Sequence, residues 1–327
     1  MAQSSKQRAE AEVLDLKGKL RQLNKALTSK GVPVAVNAPL VDTIKAVEGL
    51  SSEITVSNGA DVIYIDRPGM FLGWGMAGFK PKVKVKEDYD KKDLSRTFML
   101  CPKLQQIPKI EGLEGAKDMS YFVYLSPNLN EVTLPDMPEV KSFYHFADGC
   151  SHLRNATIGA IPKCSVISLA FKGCDRLITA TIGDCPNLHN LIEAFSGCSS
   201  LRTVNIGLSS SVAKKTMRMA FFGCSSLETI TGIIDLSLNR NYTSDTHKSF
   251  DGCSSLEEVR IKGLKANLNL SACQSLSMES IRFLIENAQT VTGQRIDLNR
   301  KLLETNEETL RELGNTASAK GWTLNYQ

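Results

Sequence analysis

Nine cysteines give this sequence its widest chemical reach, and their spacing decides what they can do. As thiolates they would ligate zinc or attack a carbonyl, and as disulfides they would staple a small secreted fold. No Cys-x-x-Cys pair occurs, and each cysteine stands at least ten residues from the next, which removes the usual zinc spacing. Their odd number argues against a disulfide framework. His145, His152, His189 and His247 are isolated from one another and form no metal-ligand pair; surface or core roles are expected of them. Asp148, Asp175 and Asp251 fall at different positions of recurring turns, so they build no aligned carboxylate pair. Neither a Gly-x-Ser-x-Gly elbow nor a phosphate loop ending in Gly-Lys-Ser/Thr is present. The expectation is a non-enzyme with no catalytic residue, no cofactor and no metal.

Charge and hydropathy narrow the partners. A net charge of +4 over 327 residues is too small and too scattered to predict a nucleic-acid partner. The densest basic stretch, Lys80 to Lys86, alternates Lys with small apolar residues and runs into Glu87, Asp88 and Asp90. It reads as a solvated strand face, with a polyanion contact as the alternative. No apolar run is long enough to span a bilayer, so no membrane insertion is expected. The first residues, Met1-Ala-Gln-Ser-Ser-Lys, contain no apolar core of signal-peptide length. Synthesis in a cytosol without the usual export is the expectation, and the sequons at Asn155 and Asn241 then go unread.

The cysteines have another logic. Phe171-Lys-Gly-Cys174, Phe195-Ser-Gly-Cys198, Phe221-Phe-Gly-Cys224 and Phe250-Asp-Gly-Cys253 repeat one phrase, and Phe146-Ala-Asp-Gly-Cys150 is a fifth copy with one extra residue after its Phe. Three residues beyond these cysteines stand Leu153, Leu177, Leu201, Leu227 and Leu256. Weaker copies run through Cys101/Leu104, Ser126/Leu129 and Cys273/Leu276, and the eight leucines are separated by 25, 24, 24, 24, 26, 29 and 20 residues. Each leucine opens a Leu-x-x-Val-x-Ile run such as Leu201, Val204 and Ile206, whose alternation is that of a strand. One coil would then carry a strand, a turn, a second extended piece and a short helical turn at Ala-Phe-x-Gly-Cys.

A coil of about twenty-four residues cannot bury its own apolar face, so neighbouring coils must supply the core. Each large apolar side chain buried in this way is worth roughly 1.5–3 kcal/mol. Cys suits a narrow slot near the backbone, where it packs as a small apolar residue, and the glycine before it permits a close approach or a positive φ. The repeat resembles the BspA-like branch of the leucine-rich repeats, whose unit runs Ala-Phe-x-x-Cys-x-x-Leu-x-x-Ile-x-Ile. That resemblance covers Phe98 to Leu276 and implies adhesion or protein contact with no catalytic residues. Arrays of this kind resemble both surface adhesins of bacteria and protists and virion proteins of phages.

The ends must position this array. Ala9, Val13, Leu16, Leu20, Leu23 and Leu27 follow alternating steps of four and three, an a/d heptad seam. A lone helix of this length is marginal in water, so self-association is expected, with packing on its own chain as the alternative. A second short helix is expected after Pro39. Residues 51–97 read as a β-rich linking or capping segment, or as a docking module. At the other end, Ser277 caps a helix with apolar Ile281, Leu284 and Ile285, Asn306 starts a second, and Lys320-Gly-Trp-Thr-Leu324 closes with a strand. The N-terminal region is similar to that of phage tail and fibre proteins, and the C-terminal ending resembles that of phage-encoded proteins of this repeat class.

The chain is therefore expected to divide into an oligomerisation or docking segment (1–50), the segment 51–97, a solenoid of about eight coils (98–276) and an α/β C-terminal cap (277–327). The resemblance implies a phage virion component, a fibre, tail or capsid-decoration protein, assembled in the bacterial cytoplasm. A trimer is favoured over a dimer, with other virion proteins and a host surface protein or glycan as partners. A bacterial adhesin outside a virion is the alternative.

Overall fold

The computed structural model describes residues 62–73, 82–208, 214–239 and 246–327. The heptad seam of Val13, Leu16, Leu20, Leu23 and Leu27 lies outside the described residues.

Every strand pairing within the described sheets is parallel, as stacking of like coils demands. Three strands, β1 (Val62–Ile65), β2 (Lys82–Val85) and β3 (Ile110–Glu111), form a first sheet in that order. Six more form the central sheet in sequence order: β4 (Glu131–Leu134), β5 (Asn155–Ile158), β6 (Thr179–Asp184), β7 (Thr203–Gly207), β8 (Thr229–Asp235) and β9 (Glu258–Lys262). The β-rich leucine-rich-repeat solenoid read from the sequence is the observed architecture. One hydrophobic core runs unbroken from Ile65 to Trp322. The boundary expected at residue 98 is not a break in packing. Phe71 lies against Phe98 with ring centroids 5.0 Å apart, and the Phe71 amide donates to Thr97 O at 2.9 Å, so 62–73 already belongs to the stack.

Opposite the sheet, the expected helical turn at the Phe-x-Gly-Cys phrase is something else. The amides of Ile167, Leu169, Phe171 and Gly173 donate to the carbonyls of Asn190, Ile192, Ala194 and Ser196 one coil further on. Those of Ala170, Lys172 and Cys174 donate three residues back within their own coil. Alternate amides thus point along the stack and around it, a pattern that no α-helix allows. The backbone achieves it by entering the left-handed region twice per coil, at Leu169 (φ 58°) and Gly173 (φ 68°), and again at Glu193 and Gly197 and at Met219 and Gly223. Glycine in the second position also meets a packing need. A Cβ on Gly252 would come within 3.1 Å of Gly223 Cα.

Beyond the last full coil, β10 (Leu268–Leu270), β11 (Gln294–Leu298) and β12 (Trp322–Tyr326) make a third parallel sheet. Helix α1 (Met278–Asn287) begins at Ser277, whose hydroxyl accepts from the Ser280 amide, and it buries Ile281, Leu284 and Ile285. Helix α2 (Arg300–Ala319) begins with a turn capped by Asn299. Asn306, expected to start a helix, is non-helical (φ −140°, ψ 36°) and divides this turn, anchored by buried Leu302, from the longer helix that follows it. The Lys320 ammonium donates to the carbonyls of Ile285, Glu286 and Ala288, satisfying the C-terminus of α1. The buried indole of Trp322 donates to Gln289 O.

Phe195 tests the inward face. Its ring is fully buried between Phe171 and Phe221, with near-parallel centroid separations of 5.4 and 5.5 Å. Phe195→Ala is expected to cost about 3–5 kcal/mol in denaturant unfolding, since both neighbours lose a stacking partner. An unchanged unfolding midpoint would show that the ring is not packed as described.

Candidate binding face

The fifteen repeat residues singled out by sequence are all interior. Phe146, Phe171, Phe195, Phe221, Phe250, their five cysteines and Leu153, Leu177, Leu201, Leu227 and Leu256 are buried. They build the scaffold and present nothing to a ligand. The stack is regular even where the phrase is not. Cys150 and Cys174, and the left-handed His145 and Leu169, are each twenty-four residues apart, so the fifth copy has no insertion. Instead Phe and Ala exchange places. Ala147 donates to Ala170 O in the register that Phe171 uses toward Ala194 O. Phe122 and Phe146 therefore stack in one slot, 3° from parallel, and Phe171, Phe195, Phe221 and Phe250 in the next. The column changes slot through a T-shaped contact at Phe146 and Phe171.

The cysteine slot does more than pack. The thiols of Cys150, Cys174, Cys198, Cys224 and Cys253 donate to the carbonyls of Val123, Ala147, Phe171, Phe195 and Phe221 in the preceding coil, at 3.0–3.2 Å. Ser126, in the same slot, donates to Phe98 O at 2.9 Å. The slot selects a small side chain with one donor, which explains why a serine substitutes for cysteine in a weaker copy. All nine cysteines are buried. Burial pushes the thiols of Cys150, Cys164, Cys185 and Cys253 up to about 12, and those of Cys174, Cys198, Cys224 and Cys273 well above the usual range. Such thiols are neither nucleophiles nor metal ligands near neutral pH.

The histidines do not converge. His145 pairs with Asp148 at 2.5 Å beneath Tyr121, while His152 contacts Pro127 O and His189 contacts Asn187 O. Among the described residues no group of three or more His, Cys, Asp or Glu is placed to hold a metal ion, and no helix is long and apolar enough to cross a membrane.

What the stack leaves open is the outward side of the central sheet. Strand alternation sends Ala156, Ile158, Ala180, Ile182, Val204 and Ile206 into the core and the residues between them outward. Register aligns these outward residues in two columns. One reads Glu131, Asn155, Thr179, Thr203, Thr229 and Glu258, and the other Thr133, Thr157, Thr181, Asn205 and Thr231. Side-chain bonds tie the columns across strands: Thr179 donates to Asn155 Oδ1 at 2.9 Å, Thr231 to Asn205 Oδ1 at 2.6 Å, and Asn205 Nδ2 to Thr181 at 3.4 Å. This face was missed in the sequence, although its signal stood in the unassigned x positions of Leu-x-x-Val-x-Ile.

At its C-terminal end the flat face becomes a groove of about 350 Å³, lined by Thr229, Thr231, Gly232, Glu258, Arg260 and Glu279 among others. Its cause is the break in period. β8 pairs with β9 through a register shift between Ile230 and Ile233, where the longer coil bulges outward. Gly232 permits the bulge: its φ is +91°, and a Cβ there would stand 2.6 Å from Ile206 O. Across the groove Arg260 meets Glu279 at 3.0 Å and lies 5.7 Å from the Phe283 ring.

This combination of parallel coils, an interior Phe/Cys/Leu ladder and an open sheet face defines a leucine-rich-repeat solenoid. Residues 169–293 match the family described as BspA type leucine rich repeat region, in six copies, so the chain carries a BspA-type repeat region. The crystal structure of the T. pallidum Leucine Rich Repeat protein is similar at 20% identity, over 70% of this chain and 91% of that one, with a TM-score of 0.36. That likeness is too distant to bear on the geometry. No curated protein matches the sequence.

The thiols set an alkaline limit. In the unfolded chain they ionise near 9; in the fold Cys150, Cys164, Cys185 and Cys253 ionise near 12, and burial holds the others well above their usual range. Their contribution is fully present below the unfolded value and is lost as pH rises from 9 through 12. Buried Lys215, whose pKa burial lowers, acts in the opposite sense, but it is one group against eight. Unfolding free energy is expected to fall steeply between pH 9 and 11, with the native thiols resisting alkylation at pH 8. A flat profile over that interval would contradict the ladder.

Proposed function

We propose that this chain is a non-catalytic binding protein that works as a phage virion component, a fibre, tail or capsid-decoration protein. In this reading the N-terminal segment joins copies, as a trimer, or docks them to other virion proteins, while the solenoid faces outward for adhesion to a host surface. The observation that carries the binding role is the ordered outward sheet face on a scaffold whose chemically reactive groups are buried. The virion setting is supported by the two ends: the Val13, Leu16, Leu20, Leu23, Leu27 seam, similar to phage tail and fibre proteins, and the closing Lys320-Gly-Trp-Thr-Leu324, which resembles the ending of phage-encoded proteins of this repeat class. A bacterial BspA-like adhesin is equally compatible with the repeat region.

Immunogold labelling of cultures that express the gene separates the two settings. Gold on released particles is the expected result, and gold confined to cell surfaces would overturn the virion setting. The arm is tested by Leu16→Asp with Leu23→Asp, which would bury charge in an apolar seam at a cost of several kcal/mol unless the helices part. Light scattering should show the double variant as a monomer with the circular dichroism of the intact solenoid. A mass equal to wild type, together with normal incorporation into particles, would remove both roles from the arm.

A further inference from the structure

The outward sheet face is chemically peculiar. Over β4 to β8 its ten outward positions in the two columns hold seven Thr, two Asn and one Glu, and no Lys or Arg. β-propensity alone accounts for Thr but not for Asn, which strands avoid. The two asparagines are also the linking members of the lattice, Asn155 through Thr179 and Asn205 through Thr181 and Thr231. Nothing on this face resembles the anchors of a tight protein interface, which favours Trp, Tyr and Arg in desolvated pockets. The exposed large apolar residues among those described, Tyr64, Phe222 and Leu238, all lie off the central sheet face. Arg260 appears only at the end, where the groove begins.

We infer that this face binds a neutral polysaccharide laid across the strands, with one sugar unit seated in the groove between β8, β9 and α1. The inference rests on the proposed binding role of this face and deepens it. Each threonine offers a hydroxyl to donate or accept and a methyl to meet the C–H face of a sugar ring. Cross-strand bonds hold Asn155, Thr179, Thr181, Asn205 and Thr231 in place before binding, so little ordering entropy is lost there when a ligand with regularly spaced hydroxyls arrives. An uncharged lattice gives no advantage to sulfated or uronate-bearing polymers. The groove supplies the one departure from repetition. There Arg260 and Glu279, already paired with each other, can hydrogen-bond ring hydroxyls without demanding a counter-charge.

The test uses the full chain on an array of neutral glucans, mannans, galactans and xylans, sulfated and uronate polymers, and immobilised serum and matrix proteins. The variants are Thr157→Val with Thr181→Val, which keep shape and methyls but lose the hydroxyls, and Thr157→Ser with Thr181→Ser, which keep the hydroxyls. The expected result is binding to at least one neutral polymer, weakened about tenfold per position by Val and largely retained by Ser. Thermal unfolding should be unchanged in both. Binding only to anionic polymers or only to proteins, yet sensitive to Val, would overturn the inference while leaving this face as the binding site. Binding of any kind that ignores the Val pair would overturn both. Silence across the whole array would overturn the inference.

Discussion

The structure depends on hydrogen bonds that run between coils at the turn opposite the sheet. Each coil sends four amides, such as those of Ile167, Leu169, Phe171 and Gly173, to the next coil's carbonyls. To aim them, one non-glycine residue per coil, here Leu169, must sit in the left-handed region at roughly 1–2 kcal/mol. Four hydrogen bonds at roughly 0.5–1.5 kcal/mol each outweigh that strain, but only when a neighbouring coil is present to accept them. An isolated coil would keep the strain and lose the bonds. Stacking is therefore a condition of the local conformation as well as the source of the core, and the ladder continues from Gly69 to Asp251 without a gap in the described residues.

The same constraint explains the residue types. A carbonyl at the Phe slot already accepts its own coil's Cys amide, as Phe171 O does from Cys174, and it has a second lone pair facing the next coil. The Cys198 thiol fills that site. Alanine would pack there but leave the carbonyl short of a donor. Serine satisfies the geometry at 126, with a greater desolvation penalty for its hydroxyl. Cysteine, weakly polar and readily buried, is the better compromise over a long stack. The five cysteines of the repeat phrase follow from backbone satisfaction.

Much of this was legible because a solenoid repeats its physics. Phe, Cys and Leu recur where the core recurs, so the period, the inward face and the repeat class could be read from residues alone. The turn at Ala-Phe-x-Gly-Cys was misread as helical because its hydrogen bonds join residues about twenty-four apart, which no local pattern reports. The start of the stack was placed at Phe98 because the coil at 62–73 carries Gly69 and Gly73 in the left-handed positions but lacks the Cys-x-x-Leu phrase. Phe146 looked displaced by an insertion, although two neighbouring interior slots had exchanged Phe and Ala at constant total volume. Volume conserved across a pair is invisible when positions are matched one at a time.

The division between inward and outward positions sets where this fold can carry recognition. Inward residues are fixed by the coils on either side, so a change there propagates along the stack. The side-chain bonds of residues in the outward columns on β4 to β8 stay within the sheet, and the scaffold tolerates nearly any residue there. A regular column of Thr and Asn is thus not demanded by folding, and its hydrogen-bonded order at Asn155, Thr179, Asn205 and Thr231 is an additional property of the chain. The break in period has the same standing. The lengthened coil between Leu227 and Leu256, with Gly232, lifts β8 out of register and opens the groove beside Arg260.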